Sequence, residues 1–308
     1  MKDGPPGEYL TDRLTNECIQ FIDDNKHSPF FVTLSFYAVH NPLQAPTPLV
    51  KKYSTKQQQL GIQPANRFAK DEDWMKLETG WKRRLVQDNP VYAAMIENMD
   101  WNIGRLLDKI QQAGIDDNTL VIFTSDNGGL STAEGSPTVN GPLRAGKGWL
   151  YEGGIRVPFI MYWKGKIVAC TVADVPVTAA DIYPTIAKAI VQNDGLRKDI
   201  DGADILALLN KHKKAERPLF FHYPHYSNQG GKPGAAIREG SYKLVYFFED
   251  KRIELYDLVN DVAEKKNLAV SHRKMAMRLS KKLFRWLENN AAKTPVINPG
   301  YSALPKPF

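Results

Sequence analysis

Cysteine is nearly absent from this 308-residue chain, which has Cys18 and Cys170 only. Two thiols so far apart define neither a disulfide framework nor a metal knuckle. Cys18 lies in the helical pattern Leu14, Cys18, Ile19, Ile22 and reads as a buried structural thiol, and Cys170, in Val-Ala-Cys-Thr-Val, carries no more information. No apolar run approaches the roughly 18 residues that a membrane-spanning helix needs. Met1-Lys-Asp-Gly-Pro-Pro does not have the pattern of a secretory leader. Charge is not concentrated either: 41 Lys and Arg against 34 Asp and Glu give +7, with the basic residues spread along the chain. That excludes the stripe or aromatic-interleaved patch of a nucleic-acid binder and is compatible with an anionic substrate. No internal repeat is visible. What remains, 43% hydrophobic and 24% charged residues, is the composition of an ordinary globular protein. The length suits one large domain, or a domain with a smaller one.

The chemistry concentrates in residues 119–158, TLVIFTSDNGGLSTAEGSPTVNGPLRAGKGWLYEGGIRVP. The apolar, β-branched run 120–123 predicts a short buried strand. Asp126 and Asn127 follow it on a Ser-Asp-Asn-Gly-Gly turn. Ligands of open α/β sheets bind at the carboxyl ends of strands, and carboxylate and amide oxygens are what a hard divalent cation takes. An Asp-Asn-Gly by itself more often only shapes a turn. Further on, Arg144-Ala-Gly-Lys147-Gly sets two cations among glycines that let backbone approach a ligand closely. A cation site followed by an anion-holding loop points to hydrolysis of a phosphate or sulfate ester.

Upstream, residues 7–25 read as a helix with apolar positions at 10, 14, 18, 19, 21 and 22 and with Thr11-Asp12 as its cap. The apolar run 30–36 predicts a central parallel strand, so that helix and strand repeat as an αβ unit. His40 falls just past that run, in a loop held extended by Pro42 and Pro46. A lone loop histidine fits a solvated or structural role; an imidazole titrating near neutrality also suits contact with a sulfuryl oxygen. Residues 47–88 are polar and irregular, an excursion with short helices over the site, in which Arg83 and Arg84 are either solvated or substrate contacts. Residues 90–113 form the clearest helix, with an apolar core stripe at Ile96, Met99, Ile103, Leu106, Leu107 and Ile110, ended by Gly114.

Downstream, a strand at 159–163 and a helix at 178–190, kinked at Pro184, precede a short helix at 205–209. Lys211, Lys213, Lys214 and Arg217 mark a linker. Strands follow at 218–223, 235–238, 242–248 and 253–257, then a helix at 272–290 and a Pro-rich tail. The division is an α/β domain over 1–215 and an antiparallel α+β subdomain over 216–308. His222 and His225, in His-Tyr-Pro-His-Tyr-Ser-Asn-Gln-Gly-Gly, belong either to an ordinary polar loop or to a substrate-binding lip. Neither has a third ligand at metal spacing, which argues against zinc.

TSDNGG followed by GKGWLYEGGIRVP resembles the signature region of the sulfatases, the arylsulfatase-like branch of the alkaline phosphatase superfamily, and the likeness runs from about Gly7 to about Leu268. The resemblance implies an alkaline-phosphatase-like mixed sheet flanked by helices, with a small C-terminal antiparallel subdomain. It implies a sulfuric ester hydrolase that uses calcium and a formylglycine nucleophile. Asp126 and Asn127 then match two calcium ligands, Lys147 the lysine on the sulfate and leaving oxygen, and His40 the sulfate-binding histidine. Arg144, His222 and His225 become substrate contacts. The implied substrate is an anionic sulfated sugar or polysaccharide, in a periplasmic, extracellular or lysosomal compartment. Yet neither Cys18 (Cys-Ile-Gln-Phe-Ile) nor Cys170 (Cys-Thr-Val-Ala-Asp) begins the Cys-x-Pro-x-Arg motif from which formylglycine is made, and the family's Asp-Asp pair after an N-terminal strand has no counterpart. The expectation is a sulfatase without its N-terminal portion, inactive in isolation. A phosphodiesterase or phosphonate hydrolase of the same superfamily, and a pseudosulfatase that binds without turnover, are the alternative readings.

Overall fold

The computed structural model describes residues 4–5, 7–61, 67–69, 82–190, 199–210, 217–296 and 298–299. The chain divides into two compact units, Met1–Ala169 with Asn228–Gly230, and Cys170–Ser227 with Gly231–Phe308. The division expected at 215 falls outside the described residues, as do Lys211, Lys213 and Lys214 of the expected linker, much of the excursion at 62–81 and the tail from 300.

In the first unit, helix α1 (Leu10–Asn25) packs on α3 (Pro90–Gln112), and α2 (Thr47–Leu60) packs on α3 as well. The expected Thr11-Asp12 cap is not one: the N-cap is Tyr9, without a side-chain cap bond. Asp12 instead turns to α3, where its Oδ1 accepts from Asn98 Nδ2 at 2.9 Å and from Asn102 Nδ2 at 2.7 Å. A polar stripe therefore seats α3 on α1. Ile110 is buried as expected, but Ile96 and Leu107 are exposed, and Ala94, Met95, Asn98 and Asn102 take the buried face beside it. Periodicity found the helix but rotated its face, because apolar residues alone do not report a buried asparagine pair. Asn89 caps α3 by accepting from Val91 N and Tyr92 N at 3.0 and 3.2 Å. Its far end closes with Gly114 at φ +69°, Gly114 N bonding Gln111 O and Ile115 N bonding Ile110 O, a Schellman pattern.

The run 30–36 belongs to no helix and to no ladder among the described residues. Its Phe30 and Leu34 pack on Cys18, Ile22 and Ile110, while Phe31 stays 69% exposed. Composition reports an apolar segment, but a parallel strand also needs neighbours for its backbone, and no described strand lies alongside. Strand β1 (Val121–Thr124) likewise departs from the expected buried strand. It pairs antiparallel with β2 (Phe159–Tyr162) and is only half-buried. The short helix α4 (Glu152–Ile155) lies between them in sequence.

In the second unit, a 3-10 turn over Ala179–Asp181 leads into α5 (Ile182–Ile190). Pro184 sits in the first turn of α5, where no intrahelical N–H is needed, so it starts the helix rather than kinking it. Buried Asp181 accepts from Thr178 N (2.7 Å) and Ala203 N (2.8 Å) and from the Arg217 guanidinium. After α6 (Ile205–Asn210) comes a four-stranded antiparallel meander of β3 (Leu219–Tyr223), β4 (Gly234–Glu239), β5 (Tyr242–Phe247) and β6 (Ile253–Asp257), close to the expected boundaries. Helix α7 (Arg273–Asn289) lays Ala276, Leu279, Leu283 and Leu287 onto Ala235, Ile237, Leu244 and Leu255 of that sheet. Beneath it Lys243 and Glu264, both fully buried, form an ion pair at 2.9 Å. Among the described residues no helix is long and apolar enough to cross a membrane.

Candidate active site

The chain leaves β1 directly into Ser125-Asp126-Asn127-Gly128. Ser125 Oγ donates to the Asn127 carbonyl at 3.0 Å and tightens the turn. Asp126 accepts from Asn127 N at 2.9 Å and from Asn127 Nδ2 at 2.5 Å, which leaves carboxylate and amide side by side at the strand's carboxyl end, with Asp126 exposed. These are hard donors of the kind calcium takes. A calcium shell needs about six to eight oxygens, so the pair could furnish only part of one. Among the described residues no group of three or more His, Cys, Asp and Glu is gathered for a metal.

The glycines around this turn let three backbone segments meet, and Gly146 among them had been expected to admit a ligand. A Cβ on Gly128 would lie 1.8 Å from the Gly153 carbonyl oxygen, one on Gly146 2.2 Å from that of Gly129, and one on Gly153 2.3 Å from that of Arg144. These glycines admit backbone against backbone rather than backbone against a ligand. Three segments are thereby stacked: the Asp126–Asn127 turn, the Arg144–Lys147 loop and the start of α4. Gly128 N bonds Gly154 O (3.0 Å), Lys147 N bonds Gly129 O (3.2 Å) and Gly153 N bonds Arg144 O (2.8 Å). Asn140, which sequence reasoning did not single out, pins the stack. Its Oδ1 accepts from Gly129 N at 3.0 Å, and its Nδ2 donates to Gly129 O at 2.8 Å and to Ala145 O at 2.9 Å. In Val-Asn-Gly-Pro an asparagine reads as a turn residue, so nothing local marks this long-range role.

That stack presents Lys147 to His40. Lys147 Nζ lies 3.0 Å from His40 Nε2, across a sequence separation of 107 residues. His40 Nδ1 is 2.8 Å from the Asn41 carbonyl oxygen, which can only accept. The proton of a neutral ring therefore sits on Nδ1, and Nε2 accepts from the Lys147 ammonium. The loop histidine and the glycine-loop lysine thus form one cationic pair, half-buried at Lys147 and exposed at His40. Arg144 is half-buried, its guanidinium 3.9 Å from the centre of the Tyr151 ring. Arg84 is neither solvated nor set toward a substrate: it is buried, bonded to the Ser136 carbonyl and ion-paired with Asp88.

His222 and His225 belong to the second unit. His222, on β3, meets the Phe248 ring edge-on at 5.9 Å, and burial pushes its pKa below the ordinary histidine value. His225 is exposed, with its ring 4.2 Å from that of Tyr223.

Comparison with known proteins gives this geometry a context. The family model described as Sulfatase matches residues 2–190, and that described as N-sulphoglucosamine sulphohydrolase, C-terminal, matches 145–293. A sulfatase of Formosa agariphila is 32% identical over 333 residues, taking in 100% of this chain and 55% of that protein. Human steryl-sulfatase is 32% identical over 222 residues, covering 70% of this chain and 32% of its own. The crystal structure of Ps i-CgsB in complex with k-i-k-neocarrahexaose superposes with a TM-score of 0.73 at 27% identity, over 94% of this chain and 57% of that one. The chain spans about half the length of these proteins, or less.

Proposed function

Since this chain belongs to the sulfatase family and has its alkaline-phosphatase-like α/β fold, we propose that its residues hold the sulfate group of a sulfated sugar or polysaccharide for hydrolysis, as part of a complete sulfuric ester hydrolase. One observation carries the reading: a lysine and a histidine 107 residues apart meet at 3.0 Å beside the turn that bears Asp126 and Asn127. The Ps i-CgsB complex with a carrageenan-type hexasaccharide supports the sugar. A compartment outside the cytoplasm, periplasmic, extracellular or lysosomal, goes with that substrate.

Lys147 carries three donors, of which His40 Nε2 takes one, so two remain for sulfuryl oxygens. With an anion seated between them, a doubly protonated His40 would donate from Nε2 to that anion in place of accepting from Lys147. Lys147 is held by its own backbone bond to Gly129, so its charge is set in place before an anion arrives. In this reading Lys147 also faces the bridging oxygen of the ester and supports the negative charge that grows there as the sulfur–oxygen bond breaks. Asp126 and Asn127 would hold calcium together with oxygens from elsewhere in the complete enzyme; when bound, that ion draws charge from the sulfuryl oxygens. The nucleophile, a formylglycine in this reading, is outside the sequence of this chain, since neither cysteine begins its motif.

Calorimetric titration of inorganic sulfate into the full chain tests the reading. Lys147→Ala removes a charge-assisted contact and is expected to weaken binding by about 10- to 100-fold. No sulfate release from an aryl sulfate is expected from the chain alone. Equal binding by wild type and Lys147→Ala would overturn the assignment. Preference for a phosphonate monoester over sulfate would replace it with the phosphonate hydrolase alternative.

A further inference from the structure

The loop after the Asp126–Asn127 turn carries a second polar group that the sulfate-holding pair does not use. Glu134 is exposed and adopts φ +52°, a left-handed conformation that a residue with a side chain rarely takes. Its carboxylate is gripped from two sides. Asn41 Nδ2 reaches the Glu134 carbonyl oxygen at 3.3 Å and its Oε2 at 3.4 Å, and Gln229 Nε2 donates to Oε1 at 3.1 Å. Asn41 is the residue next to His40, so this carboxylate is tied to the rim of the His40–Lys147 pair by a single residue.

The loop on either side of Glu134 is buried and hydrogen-bonded. Ser131, Thr132, Ala133, Ser136 and Thr138 are all buried around it. Thr132 Oγ1 donates to the Gln229 carbonyl at 2.8 Å, and Trp149 Nε1 donates to the same oxygen at 3.0 Å. Arg84 N bonds Ser131 O at 3.1 Å. A carboxylate offers about four acceptor positions. Asn41 and Gln229 take one on each oxygen, and the rest face solvent. A glutamate whose carboxylate is held by two amides, with half its acceptors open, is organised to receive donors.

We propose that Glu134 is a specificity-determining residue: it accepts hydrogen bonds from free hydroxyls of the sugar ring whose sulfate is held by Lys147 and His40. This rests on the sulfate-holding reading above and adds the neighbouring subsite. Sugar hydroxyls are donors, and a fixed carboxylate accepts them by charge-assisted bonds. The same charge repels a second sulfate on the adjacent ring carbon, as like charges disfavour one another at close range. The subsite therefore selects a ring that is sulfated at the reacting position and bears a free hydroxyl beside it.

The test compares inorganic sulfate with N-acetylgalactosamine 4-sulfate and with methyl sulfate, titrated into the full chain. Wild type is expected to bind the sulfated sugar more tightly than methyl sulfate. Glu134→Ala is expected to weaken the sugar about tenfold while leaving sulfate and methyl sulfate unchanged. Glu134→Gln keeps the size of the side chain and an acceptor oxygen, so it is expected to lose less, which also answers the case in which the alanine variant folds poorly. Undiminished sugar binding in both variants overturns the proposal and leaves the sulfate-holding reading standing. An equal loss for all three ligands overturns it too, since Glu134 would then only shape the loop. Failure of wild type to bind inorganic sulfate removes the sulfate-holding reading, and the subsite with it.

Discussion

Asn140 is the cheapest place to break the candidate site without touching the groups that would meet a substrate. Asn140→Ala deletes three hydrogen bonds, to Gly129 N, Gly129 O and Ala145 O, at 3.0, 2.8 and 2.9 Å. A net contribution of about 1 kcal/mol per bond, plus the cost of an unsatisfied N–H, gives a loss of about 2–4 kcal/mol. Gly129 O keeps its bond from Lys147 N, so the lower half of that range is expected. Asn140→Asp separates this explanation from a packing effect. Aspartate retains the acceptor for Gly129 N but sets a carboxylate oxygen against the two carbonyls that had received the amide protons. It is therefore expected to cost at least as much as alanine despite being nearly isosteric. Urea denaturation of the full chain, followed by tryptophan fluorescence because Trp149 adjoins the loop, measures both. Sulfate binding should weaken alongside, since the stack fixes Lys147. An alanine variant within about 0.5 kcal/mol of wild type, or an aspartate variant more stable than the alanine one, would refute the pinning role.

Other parts of the structure make equally definite statements. Lys243→Ala removes the counter-charge that the fully buried Glu264 meets at 2.9 Å, and is expected to cost about 3–5 kcal/mol by denaturant titration; a cost under about 1 kcal/mol would mean that water reaches the pair. Cys18 is buried and its pKa is raised by desolvation, whereas Cys170 is exposed. A thiol reagent should therefore modify Cys170 in the native protein and Cys18 only on unfolding, and mass spectrometry of Cys18 labelled before Cys170 would contradict this. His222 has its pKa lowered below 6.5 by burial, so the unfolded chain takes the proton first as pH falls. The stability that its neutral ring supplies is complete above about pH 6.5 and declines below it; the difference in Tm between wild type and His222→Gln should shrink on acidification, and a difference that grows would reverse the sign.

How much of this was legible in the sequence depends on the kind of signal. The C-terminal meander and its covering helix were readable nearly to the residue, because short apolar runs set off by turn residues mark β3 to β6 and the Leu279, Leu283, Leu287 spacing of α7 reports burial against a local partner. The long helix α3 was readable as a helix, but not in its buried face, since Asn98 and Asn102 are buried only because Asp12 lies opposite. The segment 30–36 was misread as a central parallel strand and β1 as a buried strand because composition reports an apolar run and not the direction or presence of a neighbour. His40 and Lys147 were each suspected, and their meeting at 3.0 Å depends on a fold no local window contains. Gly146 of the Arg144–Lys147 loop was assigned to a ligand, when its nearest neighbour is the Gly129 carbonyl oxygen. Asn140 and Glu134 stayed invisible for the same reason as His40 did on its own: a polar loop residue declares its partner only in three dimensions.

The central claim is that Lys147 and His40 together hold a sulfate. Its most direct test is a crystal structure of the full chain with a sulfated monosaccharide, solved for wild type and for Lys147→Ala under the same conditions. The account predicts, in wild type, sulfuryl oxygens within hydrogen-bond distance of Lys147 Nζ and His40 Nε2, and reduced occupancy of that site in the variant. Sulfate bound elsewhere in wild type, or bound at the same place with undiminished occupancy when Lys147 is gone, would contradict it.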